Sequence, residues 1–243
     1  RPPTSTLFPY TTLFRSLARK DALGALLVVG DIVGYGPDPG PCVSLLREHA
    51  LLACLGNHDA AACGRLDPRF FNPTARFALD WTQNQLEAQT LDWLSGLPLV
   101  VMHAPSGWTL SHSGLWSPAD YPYIMGAGDA LPTLELMRSP FCAFGHTHIP
   151  IVYFQPHPGG PAEALPFSEG LLLLPGRPGR VLLNVGSVGQ PRDGDPRACA
   201  AIFDRDQGAI ELLRVPYDAR ATRKRIQQAG LPAFLGDRLL EGY

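Results

Sequence analysis

Residues 51–59 read LLACLGNHD and residues 141–148 read FCAFGHTH, each a short apolar run that stops at glycine and a cluster of polar, metal-type side chains. Runs of this length bounded by turn residues read as strands buried on both faces of a sheet. Residues 26–31, LLVVGD, and residues 108–112, WTLSH, end in the same manner, on Asp31 and His112. In open α/β sheets ligands gather at the carboxyl ends of strands. If these four ends are neighbours, the carboxylate of Asp31, the amide oxygen of Asn57 and the imidazoles of His112, His146 and His148 converge. Such a set suits manganese, iron, nickel or zinc, since imidazole is abundant and thiolate is absent.

Outward from these blocks, residues 25–29 read as a strand and residues 41–50 as a helix with Val43, Leu46 and Ala50 on one face. Residues 51–55 complete a strand–helix–strand unit. Asn72 and Pro73 supply an N-cap and first-turn proline for a helix over 74–86, and 91–94 adds another turn. Residues 97–102 and 108–111 read as a hairpin around A-P-S-G, 133–138 as a short helix and 141–144 as a strand. The strands expected at 149–154, 171–174, 181–185, 198–203 and 209–215 read as a meander. Residues 116–128 and 155–170 read as loops, and 219–228 as a basic helix whose charges are solvated. His146 and His148, two residues apart, would share one face of a strand. His49, His103 and His157 read as surface or turn residues. The expected fold is α/β, a two-sheet mixed β-sandwich flanked by helices, with one domain over residues 17–243 and no internal repeat.

The 243 residues carry 20 Lys and Arg against 22 Asp and Glu, so no basic surplus points to nucleic acid or an acidic membrane surface. The longest apolar runs fall well short of the roughly 18 residues a membrane span needs. Five cysteines without a C-x-x-C pair argue against a disulfide framework and a zinc ribbon. Reduced, partly buried thiols and a soluble, cytoplasmic chain are expected. Composition leaves the oligomeric state open.

Taken in order, the polar blocks resemble the calcineurin-like metallophosphoesterase family, and within it the small bacterial and archaeal phosphodiesterase-like branch. That family's signature runs D-x-H, G-D, G-N-H-D/E, an isolated His and G-H-x-H. The matching blocks here are Gly30-Asp31, Gly56-Asn57-His58-Asp59, His112 and Gly145-His146-Thr147-His148. The strings GDIVGYGPDP at 30–39 and NVGSVGQPRDGDPRA at 184–198 also look like that branch. His112, in LSHSG at the end of the second hairpin strand, fits the isolated position better than His103 beside the turn.

The resemblance implies a four-layer sandwich and hydrolysis of a small phosphate ester, diester or monoester. It implies two divalent ions, manganese ahead of iron, nickel or zinc, bridged by Asp31, and in-line attack on phosphorus by a hydroxide held between them. One ion would sit on Asp31, Asn57, His112 and His146, and the other would share Asp31 and take His148. His58 would give a proton to the leaving oxygen, with Asp59 orienting its ring or raising its pKa. A non-catalytic phosphate-ester or nucleotide-binding scaffold and a phosphoprotein phosphatase are the alternative readings.

The D-x-H block is absent, since no Asp is followed two positions later by His. Residues 6–16, TLFPYTTLFRS, resemble the in-frame translation of a sequencing adapter. Residues 1–16 are therefore expected to be an artefactual or disordered leader where the first strand belongs, leaving this chain weak or inactive.

Overall fold

The computed structural model describes residues 24–50, 52–173 and 179–243. The leader at 1–16 and the expected first strand lie outside these, as do Leu51 and Leu174 at the ends of two expected strands. Strand β1 (Leu27–Val28) leads to α1 (Pro39–His49), where proline starts the helix and Val43 and Leu46 are buried on one side. Strand β2 (Leu52–Ala53) returns parallel to β1, with Leu27 opposite Leu52. The strand–helix–strand unit expected from the sequence is present. Helices α2 (Asn57–Ala62), α3 (Pro73–Gln85) and α4 (Ala88–Ser95) follow, and Asn72 caps α3 by accepting from the Ala75 N–H at 2.9 Å.

The antiparallel hairpin of β3 (Val100–His103) and β4 (Trp108–Ser111) is as expected. Helix α5 (Ala127–Leu136) begins earlier than the sequence suggested and carries Pro132 inside it. Its start is set instead by Asp129, whose Oδ2 accepts from the Gly126 N–H at 3.1 Å. Then come β5 (Phe141–Phe144), β6 (Ile151–Gln155), β7 (Glu163–Pro166), β8 (Gly170–Leu173), β9 (Arg180–Asn184), β10 (Ala198–Asp204) and β11 (Ala209–Val215). Helices α6 (Ala219–Gln228) and α7 (Ala233–Asp237) close the chain.

The expected meander is corrected by the strand order. Among the described residues one sheet runs β3-β4-β5-β9-β6-β7, with β9 inserted parallel to β5 and antiparallel to β6. Val181, Leu182, Leu183 and Asn184 are all buried, and a strand buried on both faces belongs in a sheet's interior. The largely exposed β7, within a stretch read as loop, takes the edge. The other sheets run β1-β2 and β10-β11-β8. Leu27, Val29 and Leu52 of one and Ile210 and Leu212 of the other join the same core as Trp108, Leu110 and Leu183, so two layers of sheet face each other. Val43, Leu46 and Leu94 cover the outer side of β1-β2, while Ala130 and Leu134 of α5 cover Cys142, Phe144 and Leu182. The layers are helix, sheet, sheet, helix.

Helix α6 is the expected surface helix, with Arg220 and Lys224 exposed and only Thr222 and Ile226 buried. Ile226 is buried with Leu231, Leu235 and Ala78, and Arg223 pairs with Asp237 at 2.7 Å. Among the described residues no helix is long and apolar enough to cross a membrane. All five cysteines are free, and burial pushes the Cys142 and Cys199 thiols up to about 12. Under native conditions at pH 8, Ellman's reagent is expected to reach Cys63 and Cys42 slowly and Cys54, Cys142 and Cys199 only once denaturant is added. Fast native reaction of the last three would contradict this packing.

Candidate metal centre

The centre begins where two turns meet. Gly30 (φ 86°) and Asp31 (φ 52°) both lie in the left-handed region just after β1. A Cβ on Gly30 would come within 2.6 Å of the Gly56 nitrogen, so glycine lets the G-D and G-N-H-D turns touch. Asp31 Oδ1 accepts from the His58 N–H at 2.9 Å at the start of α2, leaving Oδ2 for the cluster.

His112, at the end of β4, donates from Nδ1 to the Val29 carbonyl at 2.7 Å. That bond fixes the neutral tautomer, so a lone pair on Nε2 points into the site. Around Nε2 stand Asn57 Oδ1 at 3.1 Å, His146 Nδ1 at 3.2 Å and Asp31 Oδ2 at 3.2 Å. Four electron-pair donors thus converge, and a divalent cation would satisfy all four. Ligand atoms of Asp31, His112 and His146 lie within 4.8 Å of one another, and this is the group of three or more such residues found among the described residues.

The electrostatics agree with this. Burial opposes charge on Asp31, but His112, His58 and His146 outweigh it and hold the carboxyl well below the usual range. Burial, reinforced by His112, brings His146 down to about 3, and burial with Arg192 does the same to His148. Both rings are therefore neutral at pH 7, the form in which imidazole binds metal. Burial opposes a proton on His112, yet the Asp31 charge beside it raises that pKa.

His146 and His148 are not on a strand, which corrects the expectation from their spacing. Strand β5 stops at Phe144, and the two residues take left-handed conformations at φ 61° and 62°. Buried Asn184 holds this turn, donating to the Gly145 carbonyl at 2.7 Å and to Thr147 Oγ1 at 2.8 Å. His146 enters the cluster, whereas His148 stands apart, its Nδ1 on the Gln190 carbonyl at 2.7 Å. The donors expected for one ion come together. The group found among the described residues does not include His148.

Asp59 also differs from its expected role. Its Oδ1 accepts from the N–H groups of Ile32 (2.8 Å) and Val33 (3.1 Å), and its Oδ2 from Gly56 (3.1 Å). The carboxylate is spent on backbone amides of both turns and does not hold the His58 ring. Instead the ring lies between Tyr35, 4.4 Å away between centroids, and Phe71 at 5.0 Å. His103, bonded to Ser106 at 2.8 Å at the hairpin turn, stays out of the site, as expected.

Residues 11–208 match the family model described as the calcineurin-like phosphoesterase superfamily domain. The chain belongs to that superfamily. Its members hydrolyse phosphate esters with metal, and Asp31, His112 and His146 form a group whose ligand atoms are close enough together to hold an ion. Over 221 residues, 89% of this chain and 86% of the relative, it is 34% identical to an uncharacterized protein of Methanocaldococcus jannaschii. The crystal structure of a metallophosphoesterase from Sphaerobacter thermophilus superposes with a TM-score of 0.83 at 36% identity, covering 98% of this chain and 97% of that one. A hypothetical protein from Pyrococcus horikoshii shares the fold with a TM-score of 0.74 at 15% identity, over 97% and 93% of the two chains.

Single-residue chemistry did not single out Tyr35, Phe71, Asn184 or Arg192, although Asn184 and Arg192 fall in the string at 184–198 that looked like this superfamily. Arg192 donates its backbone N–H to the His148 carbonyl at 3.3 Å and Nη2 to Gln190 Oε1 at 2.8 Å, and its guanidinium lies 6.0 Å from the Tyr35 ring centre. Because Asp59 ties three buried amides, Asp59→Ala is expected to destabilise the protein by about 3 kcal/mol or more in urea unfolding. Unchanged stability would show that the clamp is dispensable.

Proposed function

We propose that this chain is a metal-dependent phosphoesterase, weakly active because the D-x-H block is absent, in which two divalent ions, manganese first and iron, nickel or zinc next, act on a small phosphate ester. Asp31, Asn57, His112 and His146 would hold one ion, and Asp31 with His148 would contribute to the other. The observation that carries the reading is the convergence of Asn57 Oδ1, His146 Nδ1 and Asp31 Oδ2 on His112 Nε2 at 3.1–3.2 Å. When bound, the ions supply a water of lowered pKa for in-line attack and neutralise charge on the phosphoryl oxygens.

The chain's own residues account for the remainder. Asp31 carries charge to the centre while its second oxygen anchors α2 through the His58 N–H. Burial lowers the pKa of His58, so its ring is neutral before substrate arrives. A phosphoryl charge brought beside it raises its pKa, so the ring takes up a proton from solvent as substrate binds and passes it to the departing alcohol oxygen as the P–O bond breaks. Arg192, which makes no ion pair with a carboxylate among the described residues and is bonded to His148 and Gln190, would meet a phosphoryl oxygen.

Hydrolysis of p-nitrophenyl phosphate and its bis ester with added manganese, against a chelator control, tests the reading; turnover that survives the chelator would overturn it. Asp31→Ala is expected to abolish bound manganese. His58→Ala is expected to keep the manganese and lose turnover by about a hundredfold, and an equal loss of metal would contradict its proton-donor role. Arg192→Ala should lower kcat/KM by about tenfold or more through KM, with metal content unchanged.

A further inference from the structure

Residues 113–126 run from His112 to the start of α5 and pass over two of the expected ligands. The Tyr121 ring stands edge-on to His112, 5.8 Å between centroids, and the Tyr123 ring is stacked on His146 at 4.2 Å. This strap is anchored on both sides of the tyrosines. Ser113 Oγ donates to the Pro122 carbonyl, Ile124 is buried in one cluster with Leu134 and Phe144, and Asp129 accepts from the Met125 N–H at 3.0 Å. Between these anchors Tyr121 takes a left-handed conformation at φ 50°, the one such non-glycine residue outside the expected ligand set among the described residues. A bulky side chain stays in that region only where its surroundings over-determine it.

Of the three imidazoles expected to bind metal, two carry a hydrogen bond that fixes the ring: His112 Nδ1 on the Val29 carbonyl and His148 Nδ1 on the Gln190 carbonyl. His146 is different. Its Nδ1 faces the cluster, and its Nε2, though buried, has no partner among the described residues. A metal-bound imidazole needs a fixed ring orientation, which a bond from the outer nitrogen ordinarily supplies. What lies along the His146 ring instead is Tyr123, at 30° between planes. We propose that Tyr123 is a positioning residue of the metal centre, its stacked ring giving His146 the orientation that a hydrogen bond gives the other two. The strained strap through Tyr121 holds it there. The inference rests on the reading of Asp31, Asn57, His112 and His146 as the holders of an ion. A bound dication draws electron density from the imidazole, and the electron-rich face of a phenol favours a ring so polarised, so the contact strengthens with the ion in place. Tyr123 is 58% exposed, so it contributes little to the core.

The test titrates the full chain with cobalt(II), whose visible absorption reads both occupancy and ligand geometry, and follows thermal unfolding of the metal-free protein. Tyr123→Ala is expected to weaken cobalt binding about fivefold and to shift the absorption bands. Tyr123→Phe, which keeps the ring, should bind within about twofold of the parent chain. Melting temperatures of the metal-free parent and variants should agree to within about 2 °C, because the side chain is largely exposed. Cobalt affinity unchanged in Tyr123→Ala would overturn the proposal. A clearly lowered melting temperature of that variant without metal would overturn it too, by marking a role in the fold alone. Hydrolysis of p-nitrophenyl phosphate is read separately, and a raised KM with cobalt affinity unchanged would place Tyr123 on the substrate instead. No cobalt binding by the parent chain would sink the metal reading and this inference with it, whereas parent binding with no loss in Tyr123→Ala would sink the inference and leave that reading standing.

Discussion

The carboxylate of Asp59 is the interaction on which the rest of the centre depends. Fully buried, it accepts from Ile32 and Val33 on the turn after β1 and from Gly56 on the turn after β2. Two short parallel strands of two residues each have little pairing of their own to fix their ends. The Asp59 clamp makes the two turns one unit, and only then can Asp31 reach both the start of α2 and the cluster around His112. Burial and the nearby Asp31 charge push Asp59 up, while the backbone amides favour its charged form.

Backbone strain concentrates at this place. Among the described residues the non-glycine positions with positive φ are Asp31, Tyr121, His146 and His148, three of them in the expected ligand set. Such conformations cost about 1–3 kcal/mol each and persist where surrounding bonds over-determine them. Here those bonds are identifiable: His58 N–H on Asp31, Asn184 on the Gly145–Thr147 turn, and Gln190 on His148. The strap at 184–192 therefore acts as a support for the G-H-T-H turn, and it brings Arg192 to the Tyr35 face in doing so.

Membership of the calcineurin-like phosphoesterase superfamily agrees with a layered sandwich whose ligands come from strand ends. Each ligand arrives from a different turn, which lets surrounding loops vary without moving the donors. A cavity beside His58 is lined by the loop at 31–39 and by residues of helices α6 and α7.

The sequence by itself determined most of the strands and helices, though not β7 or α7, and the donors that end the apolar runs. Apolar runs ending at Asp31, Asn57, His112 and His146 are local patterns, and local patterns report burial and strand ends directly. The N-cap at Asn72 and the hairpin around residues 104–107 are local as well. Tertiary structure alone decided that β9 lies between β5 and β6, since a run buried on both faces does not say which neighbours cover it. It alone decided that His146 joins the cluster while His148 turns to Gln190, because each sits on a left-handed turn set by Asn184 nearly forty residues away. It also gave Asp59 to the backbone rather than to His58. A side chain's chemistry can be read from its type, whereas its partners are fixed by contacts between segments that the chain brings together only on folding.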